Sequence, residues 1–440
     1  MRTIVVGAGP TGLYTALALA RRGRRVTVVD RDPGPPAAGA WHRRGVMQFH
    51  HAHTFRAPVV DALRAEMPDV MGHLDAAGAT VVAAPDGRPA ALWCRRATFD
   101  AALRRAACNE PSITLHTGHV DGLVTERGRT AGVRLRDGTI AADLVIDASG
   151  RSSRFTNGLR MSAEGGDCGA VYVDRRYRLR QGVTLPPTNS PVGLSLNFAG
   201  YFAIAFGHDA GTFSITFAHD GGDHRLRDLR FPEVFEAATR SIPGLAEWTD
   251  PDVAVPIARV LPGGRLFNGY RGQFDATGRP SAPGLISVGD AVCTTTPLAG
   301  RGVTLALAQA RALVAALDCH GADTDSAARQ FDDWCTANVR PWFDDHVSTD
   351  ADRVRRWRGG RVDTSRRLPS DLVVAAGAVD DTVRAGAEPY ATMTALPASL
   401  DAVEPRAREI FAAGWRPAEP DGPSRDELAE LCAAHARRVA

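Results

Sequence analysis

Thr3-Ile4-Val5-Val6-Gly7-Ala8-Gly9-Pro10-Thr11-Gly12 sets the architecture of the chain's first unit. A short β-branched run enters a Gly-x-Gly-x-x-Gly turn. An Ala/Leu-rich stretch, Leu13 to Arg22, then reads as a helix broken at Gly23, and Arg25 to Val29 reads as a second strand ending in Asp30. Gly7 permits the tight turn, Gly9 lets backbone approach a pyrophosphate, and Gly12 lets helix and strand pack closely. The helix start supplies free N–H groups and a positive dipole end. Asp30, eighteen residues beyond Gly12, is placed to accept hydrogen bonds from a ribose. The unit predicts dinucleotide binding, with NAD and FAD both open, against a glycine-rich turn that serves packing alone.

Outward from this unit, Ile113–Leu115, Val120–Thr125, Ala131–Arg136 and Leu144–Ile146 read as strands. The last runs into Asp147-Ala148-Ser149-Gly150-Arg151-Ser152-Ser153. Much later, Gly284–Val288 forms a buried strand followed by Gly289-Asp290-Ala291 and Pro297-Leu298-Ala299-Gly300-Arg301-Gly302. A long helix from Val303 to about Leu317 comes next. Asp290 at a strand end can reach a ribityl hydroxyl. Gly300 and Gly302 leave N–H groups bare at a helix start, which favours negative charge on a bound ring. An ordinary strand–loop–helix crossover is the competing reading of this segment.

All 52 residues in the Lys+Arg count are Arg, a bias that codon usage in a GC-rich genome explains. A chain without Lys forms no Schiff base and carries neither the P-loop Lys nor the kinase strand Lys. Its 440 residues and 44% hydrophobic content predict two or three domains with ample core. A net charge of +2 gives no field for nucleic acid or an anionic membrane. The densest cluster, Arg353, Arg355, Arg356 and Arg358, reads as a solvated helix face. No unbroken apolar run approaches the ~18 residues of a membrane span. Seven Cys without a CxxC pair, and a strand starting at Thr3, give the expectation of reduced thiols in a cytoplasmic protein without structural zinc.

Three ordered blocks, Gly7–Gly12, Asp147–Gly150 and Gly289–Gly302, resemble the single-chain FAD-dependent monooxygenases of the p-hydroxybenzoate hydroxylase type. The middle block departs from that family's usual Asp-Gly pair. Arg43-Arg44-Gly45-Val46-Met47-Gln48 with His51-Ala52-His53 is similar to the RxGVPQ…HAH segment of a branch that includes polyketide epoxidases, with Met47 for Pro. Arg96-Ala97-Thr98-Phe99-Asp100 is similar to the family's R-x-x-L-D helix start. The resemblance implies that Arg43 and Arg96 hold FAD, Gln48 lies near the flavin and Val120 offers backbone to adenine. It extends the cofactor set to Pro10, Thr11, Arg31, Asp147, Gly289, Pro297, Arg301 and Val303, beside Gly7, Gly9, Gly12, Asp30, Asp290, Gly300 and Gly302.

His50, His51 and His53 lie too close in sequence to share a helix face, and no carboxylate stands at ligand spacing, so no metal is expected. His51, His53 and Gln48 are the candidates beside the flavin; no side chain is assigned a catalytic step. From Ala170 to Val260, alternating residues around Phe198, Phe206 and Phe213 predict an antiparallel sheet whose aromatic face roofs the substrate, although core packing suits each phenylalanine equally. Ser424-Arg-Asp-Glu427 reads as a capping box opening the last helix.

The fold class expected is α/β: a Rossmann-like FAD domain (1–75, 92–168 and 265–343), an inserted sheet domain (76–91 and 169–264) and a helical tail (344–440). The tail is expected either to cover the pocket or to mediate association. The resemblance implies a monooxygenase that inserts one atom of O2 into an apolar or aromatic organic substrate through a flavin C4a-hydroperoxide, by hydroxylation or epoxidation in secondary metabolism. No second GxGxxG is present, so NAD(P)H has no domain of its own and serves as electron donor directly, or a separate reductase supplies the electrons. Monomer and homodimer both remain open. The halogenases of this fold use an essential Lys and a WxWxIP block, both missing from this sequence. A reductase of the prenyl-lipid type and a non-catalytic flavin-binding module remain as alternatives.

Overall fold

The computed structural model describes residues 1–440 apart from 38, 44, 152, 157, 276, 279, 281 and 440, with backbone alone at 438 and 439. Arg44 and Ser152, quoted above, fall outside the described residues. A parallel sheet runs in the order Leu285–Ser287, Leu144–Asp147, Arg2–Val6, Arg25–Asp30, Ile113–Thr117. The first strand pairs on both sides, Val6 lying opposite Asp147 and Val29. Such strands are covered on both faces, which is why they read as continuous rather than alternating apolar runs. Helices Pro10–Ala20, Arg96–Asn109 and Gly302–His320 cover one face through Leu13, Leu17, Leu103 and Leu313. The meander Val120–Glu126, Arg129–Leu135, Gly138–Ala141 covers the other through Val120, Val133 and Leu135.

Among the described residues, Gly302–His320 is the one helix long and apolar enough by composition to cross a membrane. It sits in the protein core instead, with Leu307, Ala310, Leu313 and Leu317 at most 1% exposed.

A second, antiparallel sheet forms the roof, in the order Gly193–Asn197, Tyr201–Gly207, Thr212–Asp220, Ala170–Leu179, Ala254–Pro256, with Leu261–Gly263 also on the Ala170–Leu179 strand. Its back is packed by helices Pro232–Arg240, Pro243–Thr249 and Arg425–Val439. The expected capping box opens that last helix: the Ser424 N–H donates to Glu427 Oε2 at 2.8 Å. The tail therefore divides. Its end covers the back of the roof through Leu428, Ala429 and Cys432, while Ser370–Ala376, Asp381–Ala391 and Glu404–Ala412 build a separate core around Leu372, Val383, Tyr390 and Phe411. The arginine cluster is not simply solvated: Arg353, Arg355, Arg356 and Arg358 pair with Asp350, Asp352, Asp371 and Asp220.

Candidate cofactor and substrate cleft

One cleft, a cavity of about 560 Å³, runs from the Gly7–Gly12 turn to the roof. At its nucleotide end Gly7 holds φ +110°, where a Cβ would strike the Ala148 carbonyl, and a Cβ on Gly12 would overlap the Gly7 carbonyl. Gly12 thus sits behind the cleft and serves packing. Helix Pro10–Ala20 begins at Gly9 with no side-chain cap, so its first N–H groups stay open beside Gly9, Pro10 and Thr11.

Asp30 receives the Ala8 N–H at 2.6 Å and Arg43 at 2.8 Å on Oδ2, and the Asp32 N–H at 2.8 Å on Oδ1. A carboxylate offers about four acceptor positions, so one on Oδ1 remains for a ribose hydroxyl. Arg31 and Val120 line the same end.

The two arginines expected to grip the cofactor behave differently. Arg43 is largely buried but still lines the cleft, and each terminal nitrogen spends one of its two N–H groups on an acid, Asp30 at 2.8 Å and Asp100 at 2.9 Å. Burial opposes its charge, but Asp100 and Asp30 outweigh that and hold the guanidinium above its ordinary range. Arg43 therefore fixes Asp30 and brings charge to the cleft wall, with one N–H left on each terminal nitrogen. Arg96 spends only Nε on Asp100, at 2.6 Å, and keeps its terminal nitrogens for a ligand. In the sequence, Asp100 belongs to the helix-start motif with no role assigned to it; its i+4 spacing from Arg96 is the signal for the pairing.

Of three further cofactor candidates, Asp147 and Gly289 stand back from the cleft and Arg301 lines it. Asp147 is fully buried and accepts from the hydroxyls of Ser149, Ser153 and Thr156 at 2.7, 2.6 and 3.0 Å. It shapes the loop whose Ser149, Gly150 and Arg151 do line the cleft. Gly289, with φ +72°, presses on Thr11, and its N–H donates to Gln309 Oε1 at 3.0 Å, a support the sequence reading does not anticipate. Arg301 lends backbone to the cleft but turns its guanidinium away. It bonds Asp345 at 3.0 Å and lies 4.7 and 4.4 Å from the ring centres of Trp342 and Tyr390. Aromatic faces and a carboxylate from the helical tail outbid the cleft for a delocalised cation.

Asp290 does face the cleft. Its carboxylate is open to the cleft space yet ringed by protein, has no side-chain partner among the described residues, and is pushed above the usual carboxylate range by burial. Opposite it, Pro297–Ala299 forms a tight turn, Gly300 takes φ +63°, and helix Gly302–His320 starts with neither a side-chain cap nor an acid in its first turn. Pro297, Gly300, Gly302 and Val303 line this end together with Gln48.

Of His50, His51 and His53, His53 lines the cleft, and His119 borders it beside Val120. The His53 Nδ1 lies 3.0 Å from the His51 carbonyl oxygen, and burial pushes the ring's pKa down to about 3. The ring is neutral, Nδ1 carries the proton, and Nε2 is left as an acceptor. His51 stands behind, with Nδ1 3.0 Å from Asp174 Oδ2 but without a hydrogen bond among the described residues. His50 bonds His42 at 2.9 Å. Among the described residues, no three His, Cys, Asp or Glu side chains are grouped to hold a metal.

At the roof end, Phe206 lines the cleft with Tyr172, Leu266 and Phe267. Phe198 and Phe213 do not. Strand register explains the difference: Phe206 lies opposite Ser214, so Phe213 points to the other face, where it packs on Tyr177 and Trp248. Phe198 stacks on Tyr201 at 4.5 Å in that same helix-covered layer. Both faces of the sheet are apolar, so alternation alone does not say which one meets the cleft.

Residues 2–79 match the family model FAD dependent oxidoreductase. A D-amino acid dehydrogenase of Sinorhizobium medicae (strain WSM419) is 40% identical over 58 residues, which is 13% of this chain and only 14% of that protein's length. Among solved structures, PqsL, a probable FAD-dependent monooxygenase from Pseudomonas aeruginosa, superimposes with a TM-score of 0.58 at 18% identity over 82% of this chain and 98% of its own. The flavin-dependent brominase Bmp2 does so with 0.63 at 14% over 94% and 100%. The fold is shared with FAD-dependent monooxygenases.

The residues fit FAD. Arg96 and the open helix start suit a pyrophosphate, Asp30 a ribose, the unpartnered Asp290 a ribityl hydroxyl, and the bare amides from Gly300 to Val303 a ring that gains negative charge.

Proposed function

We propose that this chain is an FAD-dependent monooxygenase acting on an apolar or aromatic organic substrate. The observation that carries the reading is the continuity of the cleft, whose cofactor-fitting groups open directly beneath an aromatic roof. When bound and reduced, FAD supplies the oxygen chemistry: one atom of O2 goes to the substrate, the other leaves as water, and two electrons come from NAD(P)H or a separate reductase.

The chain's own work is binding, orientation and exclusion of water. Arg96 and the Pro10–Ala20 helix start hold phosphate. Asp30 and Asp290 accept from sugar hydroxyls. The amides at Gly302 and Val303 favour negative charge at the ring end. Tyr172, Phe206, Leu266 and Phe267 give the substrate an apolar ceiling, and a dry site strengthens each of these polar contacts. His53 holds an acceptor nitrogen toward the bound molecules. Its lowered pKa supports a hydrogen-bonding role over proton storage near neutral pH. The seven free thiols support a cytoplasmic setting as part of this proposal.

The test is purification with FAD, an absorbance band near ~450 nm, and O2 uptake coupled to NAD(P)H oxidation and stimulated by an aromatic substrate. Substrate reduction without O2 uptake would favour the reductase reading. A protein that binds no FAD would remove the proposal altogether.

A further inference from the structure

Arg56 lies in the two-residue strand Phe55–Arg56, next to the ring end of the cleft but outside its lining. Its backbone N–H donates to Thr304 Oγ1 at 3.3 Å, in the first turn of helix Gly302–His320. Its Nη2 donates to the Ala299 carbonyl at 3.0 Å, and its Nε is sealed from solvent without a partner. Arg301, within this turn, has an acid, Asp345. Among the described residues, Arg56 has none within ion-pair distance. Two guanidiniums therefore flank Pro297–Gly302 on the side away from the cleft, where Asp345 pairs with Arg301 and is already shared with the hydroxyls of Tyr390 and Ser370, while Asp290 faces the turn from across the cleft. Burial and then Arg301 push Arg56 down to about 10, so it stays charged at neutral pH.

Arg56 is half-buried with its Nε sealed from water, and a cation so placed without an acid is costly unless something offsets it. A neutral carbonyl offsets it only in part. What remains is the Arg56 charge, with no acid of its own, behind an uncapped helix start that has no acid in its first turn. That field acts little on an uncharged ring and favours one that has gained negative charge.

We propose that Arg56 is a positioning residue that raises the reduction potential of FAD bound in the cleft. Through the Ala299 carbonyl and the start of the Gly302–His320 helix, its charge stabilises the negative charge that the isoalloxazine acquires on two-electron reduction. The inference rests on the FAD reading above but not on oxygen transfer.

The test is an anaerobic dye-coupled redox titration of FAD-loaded wild type, Arg56→Met, Arg56→Lys and Asp345→Asn. Arg56→Met should bind reduced FAD about tenfold less well relative to oxidised FAD, a potential about 30 mV more negative for a two-electron couple. Arg56→Lys should restore most of this shift, because it keeps the charge. Asp345→Asn should move the potential the opposite way, because it removes the carboxylate that pairs with Arg301. If Arg56 merely braces the turn, Arg56→Met will weaken both redox states equally and leave the potential within a factor of two in that ratio. That result, or a lysine variant shifted as far as the methionine one, overturns the inference. Should Arg56→Met retain no flavin, Asp345→Asn decides: a potential that fails to rise refutes the assignment. Failure of the wild type itself to bind FAD would instead refute the proposed function.

Discussion

Replacing Asp290 by alanine should move two quantities in opposite directions. The carboxylate opens to the cleft, has no protein partner among the described residues, and is held above the usual carboxylate range by burial. A group so placed is costly to the empty protein and useful only when a ligand hydroxyl meets it. A hydrogen bond to a charged acceptor contributes about 1.5–3 kcal/mol, so its loss should weaken FAD binding roughly 10- to 150-fold. Water entering the open cleft screens part of this and favours the lower half of that range.

The apoprotein, by contrast, should become more stable at neutral pH. An acid whose folded pKa is raised contributes stability below its unfolded value of about 4, and that contribution is lost as pH rises through the folded value. The alanine variant has no such loss. Its advantage over wild-type apoprotein should therefore be absent near pH 4 and grow toward pH 7. Quenching of flavin fluorescence on titrating apoprotein gives the affinity, and thermal unfolding of the apoprotein at both pH values gives the stability. FAD affinity within twofold of wild type, or an apoprotein less stable at pH 7, would show that Asp290 braces the fold and does not receive the cofactor.

Phe206→Ala should raise the KM for substrate with little change in unfolding temperature, whereas Phe213→Ala should cost about 3–5 kcal/mol of stability through a cavity against Trp248; equal effects would contradict the register. Burial holds His50 near 4 and His53, His208 and His346 near 3. The unfolded chain takes up protons on these rings below about pH 6.5 and the folded chain does not, so their contribution to stability is lost as pH falls. Unfolding temperature should accordingly drop between pH 7 and 5, and His346→Phe should flatten that slope. Arg301→Met should loosen the Pro297–Gly302 turn by leaving Asp345 buried and unpaired, at about 3–5 kcal/mol, seen as new proteolysis near that turn.

Legibility in the sequence followed distance along the chain. Gly7, Gly9, Asp30, Asp290 and Gly300 act through backbone geometry or strand-end position, both written locally, and these lie where the motifs place them. Arg43, Asp147 and Arg301 resemble ligands in sequence because each is a charge in a motif. Their partners, Asp100, Thr156 and Trp342 among them, occupy some or all of each side chain's polar or charged surface and are not written in the motifs. The roof was legible as alternating strands but not as an oriented sheet, because helices cover its back with residues as apolar as those of its front. Tyr172 and Asp174, on the face toward the flavin domain, carry no motif at all.

The last helix has a consequence for how this protein is made. Strands of the roof are complete by Gly263, yet Leu428 and Cys432 supply part of the layer behind Tyr201 and Phe217. During synthesis, that apolar surface waits for more than a third of the chain to emerge before its own cover arrives. Until then the sheet is a half-clad intermediate open to wrong partners. Conditions that slow or truncate translation near the end should therefore appear as insolubility rather than as a protein merely short of a tail.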